Sequence, residues 1–368
     1  MTILKPIGRT AAAILLFAVL TATNIVLAEP YLAVYKGLHC SACHSHPAGG
    51  GKRNAYGNVF AQTELPAERV GGDQQPFWTG QALEWLAVGG NLRARYEYTD
   101  TPNEEQRSAF DLTRGTIYVE ATVIPNRLSV YVDQQFAPSG SLNREAYVRL
   151  RDASGKWQLT GGQFYLPYGL RLQDDTAFIR RVTGINFENP DRGVQLGYET
   201  GPWSAIVSVT NGTGGGGEND TGKQAGFVAA YVRPRWRLGA SFNDNDADAG
   251  GRQMFNVFAG LKTGPIAWLA EVDHIEDELA GGGSRDGIAG LVEGNWLFAR
   301  GHNLKIGYEY FDPDEDLDED HQVRWSVIWE YSPMQYLQGR FGVRAYDGIP
   351  QDNAQNRDEF FVELHGFF

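Results

Sequence analysis

Val323-Arg324-Trp325-Ser326-Val327-Ile328-Trp329-Glu330-Tyr331 changes polarity at almost every step. Successive side chains of an extended chain point to opposite faces. Val323, Trp325, Val327, Trp329 and Tyr331 would therefore share one face, and Arg324, Ser326 and Glu330 the other. The next segment repeats the split, with Leu337, Phe341, Val343 and Ala345 opposing Gln338, Arg340 and Arg344. Far upstream, Leu92, Ala94, Tyr96 and Tyr98 oppose Arg93, Arg95 and Glu97. This period of two marks strands. A water-soluble sandwich alternates in the same way, so the connections between segments have to decide.

Sixteen such segments follow Leu83, and their connections alternate short and long. Short turns fall at Pro125-Asn126, Asp152–Gly155, Gly201-Pro202, Arg233-Pro234-Arg235, Gly264-Pro265, Arg300-Gly301-His302 and Ser332-Pro333. Longer polar loops surround Asn103, Ser139, Asp174, Gly215, Asp246, Gly282, Asp316 and Asp352. That alternation is the plan of a transmembrane outer-membrane β-barrel with its turns in the periplasm. The fold expected is all-β: a sixteen-stranded antiparallel barrel over residues 82–368, with both ends periplasmic, aromatic girdles outside and a polar lumen. The last strand agrees, since Phe360, Val362, Leu364, Gly366 and Phe368 share a face and the chain ends on phenylalanine, an ending that resembles the recognition signal of bacterial outer-membrane proteins.

Composition supports β-structure. Among 368 residues there are 45 Gly, 9 Trp, 17 Tyr and 19 Phe, without hydrophobic helices to account for them. The mean hydropathy is −0.36. A net charge of −13 argues against nucleic acid as a partner. Lys5 and Arg9 precede an apolar run from Ala11 to Leu20, and Val26-Leu27-Ala28 suits signal peptidase. Residues 1–28 are thus read as a signal peptide whose removal leaves Glu29 first. No other apolar run approaches the roughly 18 residues a spanning helix needs.

Residues 29–81 lack strand alternation and hold the only two cysteines, in Cys40-Ser41-Ala42-Cys43-His44. Cys-x-x-Cys-His is the attachment pattern of a c-type haem, with two thioethers and an adjacent histidine for the iron. A thioredoxin-like pair would want a βαβ context, and a structural zinc site a second ligand pair. One covalent haem c, held by Cys40 and Cys43 with His44 as axial ligand, is the favoured reading over a disulfide or another metal. The following Gly49-Gly50-Gly51 lacks the P-loop pattern and suits backbone passing close to a porphyrin. Lys52 and Arg53 either meet haem propionates or are solvated. Of the methionines, Met1 leaves with the signal peptide, and Met254 and Met334 fall in the barrel, so residues 29–81 offer no thioether as sixth ligand. His46 is too near His44 in sequence to pass around the porphyrin edge. His365, lumen-facing by parity with the outward Phe368, is a candidate distal ligand if the haem segment plugs the barrel; otherwise it is a lumen histidine without a metal.

Two resemblances follow from these motifs. Gly162-Gln163-Phe164-Tyr165-Leu166-Pro167-Tyr168-Gly169-Leu170 is similar to the strand motif of the phosphate-selective porin O/P family. The whole layout, a signal peptide, one haem motif and a porin-like barrel, resembles the fused monohaem cytochrome–porins of iron-oxidising bacteria. That resemblance implies electron transfer between an extracellular donor or acceptor, such as Fe(II), and a periplasmic redox partner, for example a soluble cytochrome. The glycine-rich stretch from Pro47 to Gly57 departs from the iron oxidisers' pattern. The loop between Tyr165 and Asn189 is expected to fold inward. Arg171, Arg180, Arg181 and Arg192 then either make a basic constriction or pair with Asp174, Asp175, Glu188 and Asp191. The acidic loops, densest at Asp312–His321, are either solvated or draw cations to the pore mouth. Three function classes stand: an outer-membrane electron-transfer protein, a solute or anion porin with a non-conducting haem segment, and a haem enzyme such as a peroxidase.

Overall fold

The computed structural model describes residues 29–368 apart from 73, 139, 219, 248–249 and 280–281. The expected signal peptide and its cleavage after Ala28 lie outside the described residues. A short strand β1 (Gln81–Leu83) leads into the barrel strands β2 (Leu86–Asp100), β3 (Arg107–Ile124), β4 (Leu128–Ala137), β5 (Leu142–Arg151) and β6 (Trp157–Phe164). They continue as β7 (Asp191–Thr200), β8 (Trp203–Thr210), β9 (Gln224–Arg233), β10 (Trp236–Asn245), β11 (Arg252–Thr263) and β12 (Ile266–Glu278). The last five are β13 (Ser284–Ala299), β14 (His302–Asp312), β15 (Gln322–Tyr331), β16 (Leu337–Asp347) and β17 (Asp358–Phe367). Each of β2–β17 pairs antiparallel with the next, and β17 pairs with β2 from Asp358↔Asp100 to Phe367↔Asn91. The sheet is therefore a closed sixteen-stranded barrel without edges. All seven short turns and the start of β2 and end of β17 share one end; the long loops share the other.

Alternation along each strand separates two environments. On β15, Trp325, Val327 and Trp329 face out at 54, 43 and 38% exposure, while Arg324, Ser326 and Glu330 are buried inside. Trp157, Trp203, Trp236, Trp268, Trp296 and Trp329 all face outward within a few residues of a short turn. Indole, apolar in body and polar at one edge, suits a membrane–water boundary. The outer surface is that of a protein seated in hydrocarbon. Among the described residues no helix is long and apolar enough to cross a membrane.

The lumen has the polar wall expected and is also occupied. Residues 29–80 enter it from the short-turn end. Helix α1 (Pro30–Lys36) starts on a proline whose fixed φ suits a first turn and stops at Gly37 in the left-handed region (φ 65°). It buries Tyr31, Leu32, Val34 and Tyr35, the i, i+1, i+3 and i+4 positions of one face. They form one apolar core with Ala267 and Leu269 of β12 and Ala289 and Leu291 of β13. Each fully buried side chain of that size contributes about 1.5–3 kcal/mol. Helix α2 (Ala55–Thr63) adds Phe60 and Ala61.

The loop between β6 and β7 also folds inward, carrying the short helix α3 (Phe178–Arg181) and burying Leu170, Leu172, Ala177 and Ile179 against the same core. Wall side chains cap its amides: Gly169 N donates to Ser241 Oγ at 2.9 Å and Phe178 N to Glu309 Oε2 at 2.6 Å. Plug and loop together occupy much of the lumen. An apolar core adds to the expected polar lining, which Asp133, Arg149, Glu293, Glu309, Arg340 and Glu363 keep on the inner face, because α1 and the loop bring their own apolar faces inside.

Candidate functional site

The haem motif sits where the plug faces the interior. Cys40–Ala42 form a 3-10 turn, with His44 N donating to Cys40 O at 3.1 Å. Asn54 holds this turn: its Nδ2 donates to Ser41 O at 3.0 Å and to Ala42 O at 3.1 Å. Its Oδ1 accepts from Gly57 N at 2.9 Å, capping α2. Asn54 thus ties the motif to the start of α2, a role the sequence signalled only as an asparagine placed before a helix. Gly57 lets the two approach, since a Cβ there would lie 2.1 Å from Cys43 O. Gly49, at φ 89°, brings the glycine loop against Cys40, where a Cβ would lie 3.3 Å from the Cys40 Cβ.

Cys40, Cys43, His44 and Arg53 from the plug, and His365 and Phe367 from β17, line one cavity. Its atom-free space, mouths to solvent included, is about 1780 Å³. Both thiols are free. Burial first, then the neighbouring Cys40, pushes the Cys43 thiol up to about 11, so it stays neutral rather than becoming a thiolate. Burial, then the Arg53 and Arg171 guanidiniums, holds His44 at about 3, the neutral imidazole that a metal ligand requires. The buried Nδ1 of His44 and Nε2 of His365 have no hydrogen-bond partner. Two free thiols on one turn, an adjacent neutral imidazole and a shared cavity with unpartnered nitrogens fit a thioether-bound haem.

The other candidates separate. Arg53 lies 4.5 Å over the Phe367 ring at the cavity, whereas Lys52 turns to the barrel wall, where Nζ pairs with Glu120 at 3.2 Å and donates to Arg53 O at 3.1 Å. Neighbours in extended backbone point oppositely, and the His44↔Arg53 bridge puts Arg53 on the motif's side. His46 is 1% exposed, accepts Ala48 N on Nδ1 at 3.1 Å and has Nε2 3.8 Å from Glu145, away from the cavity. Met254 packs with Leu166, Tyr168, Ile185 and Ile275, and Met334 is exposed at a short turn; neither lines the cavity.

The loop arginines make neither an open constriction nor the expected pairs. Arg171, buried at 8% exposure, donates from Nη1 to Gly49 O at 2.8 Å and from Nη2 to Leu166 O at 2.7 Å. Arg180 and Arg181 lie over the rings of Phe187 and Phe178, and Arg192 donates to Gln163 Oε1 at 3.0 Å. The loop carboxylates pair instead with wall arginines: Asp174 with Arg344 at 2.7 Å and Arg324 at 3.1 Å, Asp175 with Arg114 at 2.7 Å, and Glu188 with Arg144 at 2.5 Å. Asp191 accepts backbone amides of Arg192 and Gly212. Among the described residues no three or more His, Cys, Asp or Glu side chains gather as a metal site, in the acidic loops or elsewhere.

Solved barrels place this architecture. OmpT of Vibrio cholerae, as a loop-deletion mutant, superposes with a TM-score of 0.62 at 14% identity, covering 77% of this chain and 99% of that one. The anion-selective porin of Comamonas acidovorans gives 0.61 at 9% identity over 77% and 99% of the two chains. The outer-membrane channel DcaP of Acinetobacter baumannii gives 0.58 at 11% over 77% and 97%. The fold is that of the outer-membrane porins. No family model matches the chain, and no curated protein matches it in sequence.

Proposed function

We propose that this chain sits in the bacterial outer membrane and carries electrons between an extracellular donor or acceptor, Fe(II) among the candidates, and a periplasmic redox partner such as a soluble cytochrome. Residues 29–81 serve as its monohaem cytochrome c segment. Cys40 and Cys43 bind one haem covalently, His44 ligates the iron and Arg53 is placed to meet a propionate. Bound there, the haem supplies a one-electron couple whose potential follows ligation, burial and neighbouring hydrogen bonds. One observation carries the reading: the Cys40–His44 motif opens on an interior cavity inside a barrel whose lumen is largely occupied. Residues 29–80 and the inward loop occupy much of the barrel interior, and Asn54 and Arg171 fix the motif and the glycine loop after it. Some 30 Å of hydrocarbon insulates the two sides, so a haem near the short-turn end calls for a partner on that side.

The barrel's likeness to porins favours a second reading, a solute or anion porin with a non-conducting haem segment. The plug and the buried Arg171 and Arg180 oppose it. The test uses the purified full chain. After acid–acetone extraction, haem should stay with the wild-type polypeptide and be lost from Cys40→Ala/Cys43→Ala. In proteoliposomes an external reductant should reduce an enclosed cytochrome only through the wild type. Porin-sized conductance steps in a planar bilayer, with no such reduction, would favour the porin.

A further inference from the structure

We propose that His365 supplies the second axial ligand to the iron, so that ligation joins the plug to the last barrel strand; this rests on the haem reading above. His365 is on the inward face of β17 with Phe361, Glu363 and Phe367, and is 4% exposed. It is paired in register with Gln338 on β16 and Arg93 on β2. Its Nδ1 lies 3.2 Å from Gln338 Oε1, which can only accept, so Nδ1 carries the proton. The Nε2 lone pair is then bare, buried and without a partner, beside the cavity lined by Cys40, Cys43 and His44. A buried nitrogen left unpaired is costly and calls for a partner. Fixing the tautomer through the far nitrogen is how proteins prepare an imidazole for a metal.

Competing donors are less well placed, although among the described residues the buried Nδ1 of His39 and Nε2 of His46 also lack a hydrogen-bond partner. His39 holds Nε2 3.0 Å from Gly201 O and stands next to Cys40 itself. His46 faces Glu145 and Arg171. Among the described residues no methionine lines the cavity. With two imidazoles the iron has no open position, which favours electron transfer over peroxidase chemistry.

The experiment compares holo wild type, His365→Ala, His365→Met and Gln338→Leu by optical and EPR spectroscopy, with in-gel haem staining and heat-modifiable migration as controls for haem and barrel. Wild type should be low-spin with no thioether band. His365→Ala should become high-spin while keeping its stained haem, and added imidazole should restore the low-spin signal. His365→Met should gain the thioether band, and Gln338→Leu should stay low-spin with a shifted reduction potential. A low-spin spectrum in His365→Ala identical to wild type, together with no thioether band in His365→Met, would overturn the assignment while leaving covalent haem in place. Wild type without stained haem would overturn the assignment and the haem reading together.

Discussion

The plug meets two different walls. On one side α1 lies against β11–β13 through apolar contacts, with Val34 over Gly260 so closely that a Cβ there would come within 2.3 Å. On the other, Ser45 and Lys52 meet β3–β5 through charge: Ser45 Oγ donates to Glu120 at 2.8 Å, Arg149 Nη1 donates to Ser45 O at 2.7 Å, and Lys52 N donates to Tyr131 Oη at 3.0 Å. The apolar wall is non-directional and stabilises by area. The charged wall sets register, because every buried charge there needs its own partner. One side holds the plug in; the other decides how the haem motif is turned.

The largest effect should come from putting a charge into the apolar wall. Ala267 is fully buried beneath α1. Ala267→Asp leaves a carboxylate without a partner, costing about 3–5 kcal/mol of docking free energy. Residues 29–80 should then be cut by protease at denaturant concentrations that leave the wild type intact, with heat-modifiable barrel migration retained. A plug as resistant as wild type would mean that the apolar contact contributes little.

Next comes the charged wall. Glu120 serves Lys52 and Ser45 and lies 3.9 Å from Arg149, and both cations are nearly fully buried. Glu120→Gln keeps the shape and removes the charge, and should cost about 1.5–3 kcal/mol. The same protease assay measures it, and the haem's spectrum should change with it, because the motif follows this wall. Ser45→Ala removes one hydrogen bond and should cost about 0.5–1.5 kcal/mol. It should leave the spectrum alone, since Arg149 still holds the Ser45 carbonyl.

The two walls were unequally legible. The hydrocarbon outside demands an apolar residue at every second position, so the sixteen strands, their turns and the outward face of β17 could be read directly. The lumen could not, because a polar inner face looks the same whether water or a plug covers it. A signal did exist: Ala267, Leu269 and Leu291 make β12 and β13 apolar on both faces. The Cys40–His44 pattern stood out because its residues are adjacent in the chain. The partners of Asp174 did not, since Arg324 and Arg344 lie 150 and 170 positions away in sequence.

The smallest effect should fall on the plug's own rim. Lys36 Nζ pairs with Glu64 at 2.9 Å, joining the end of α1 to the end of α2, and both side chains are about a third or more exposed. Solvent screens such a pair and side-chain entropy opposes it, leaving about 0.2–1 kcal/mol. Lys36 also lies 5.8 Å over the Phe60 ring, which adds little at an exposed site. Lys36→Ala should shift the denaturant midpoint of plug proteolysis barely beyond error, and by less still at high salt. If it instead released the plug as readily as Ala267→Asp, the hold would lie in the packing of α1 against α2 rather than in the barrel wall, and the two-wall account would fail.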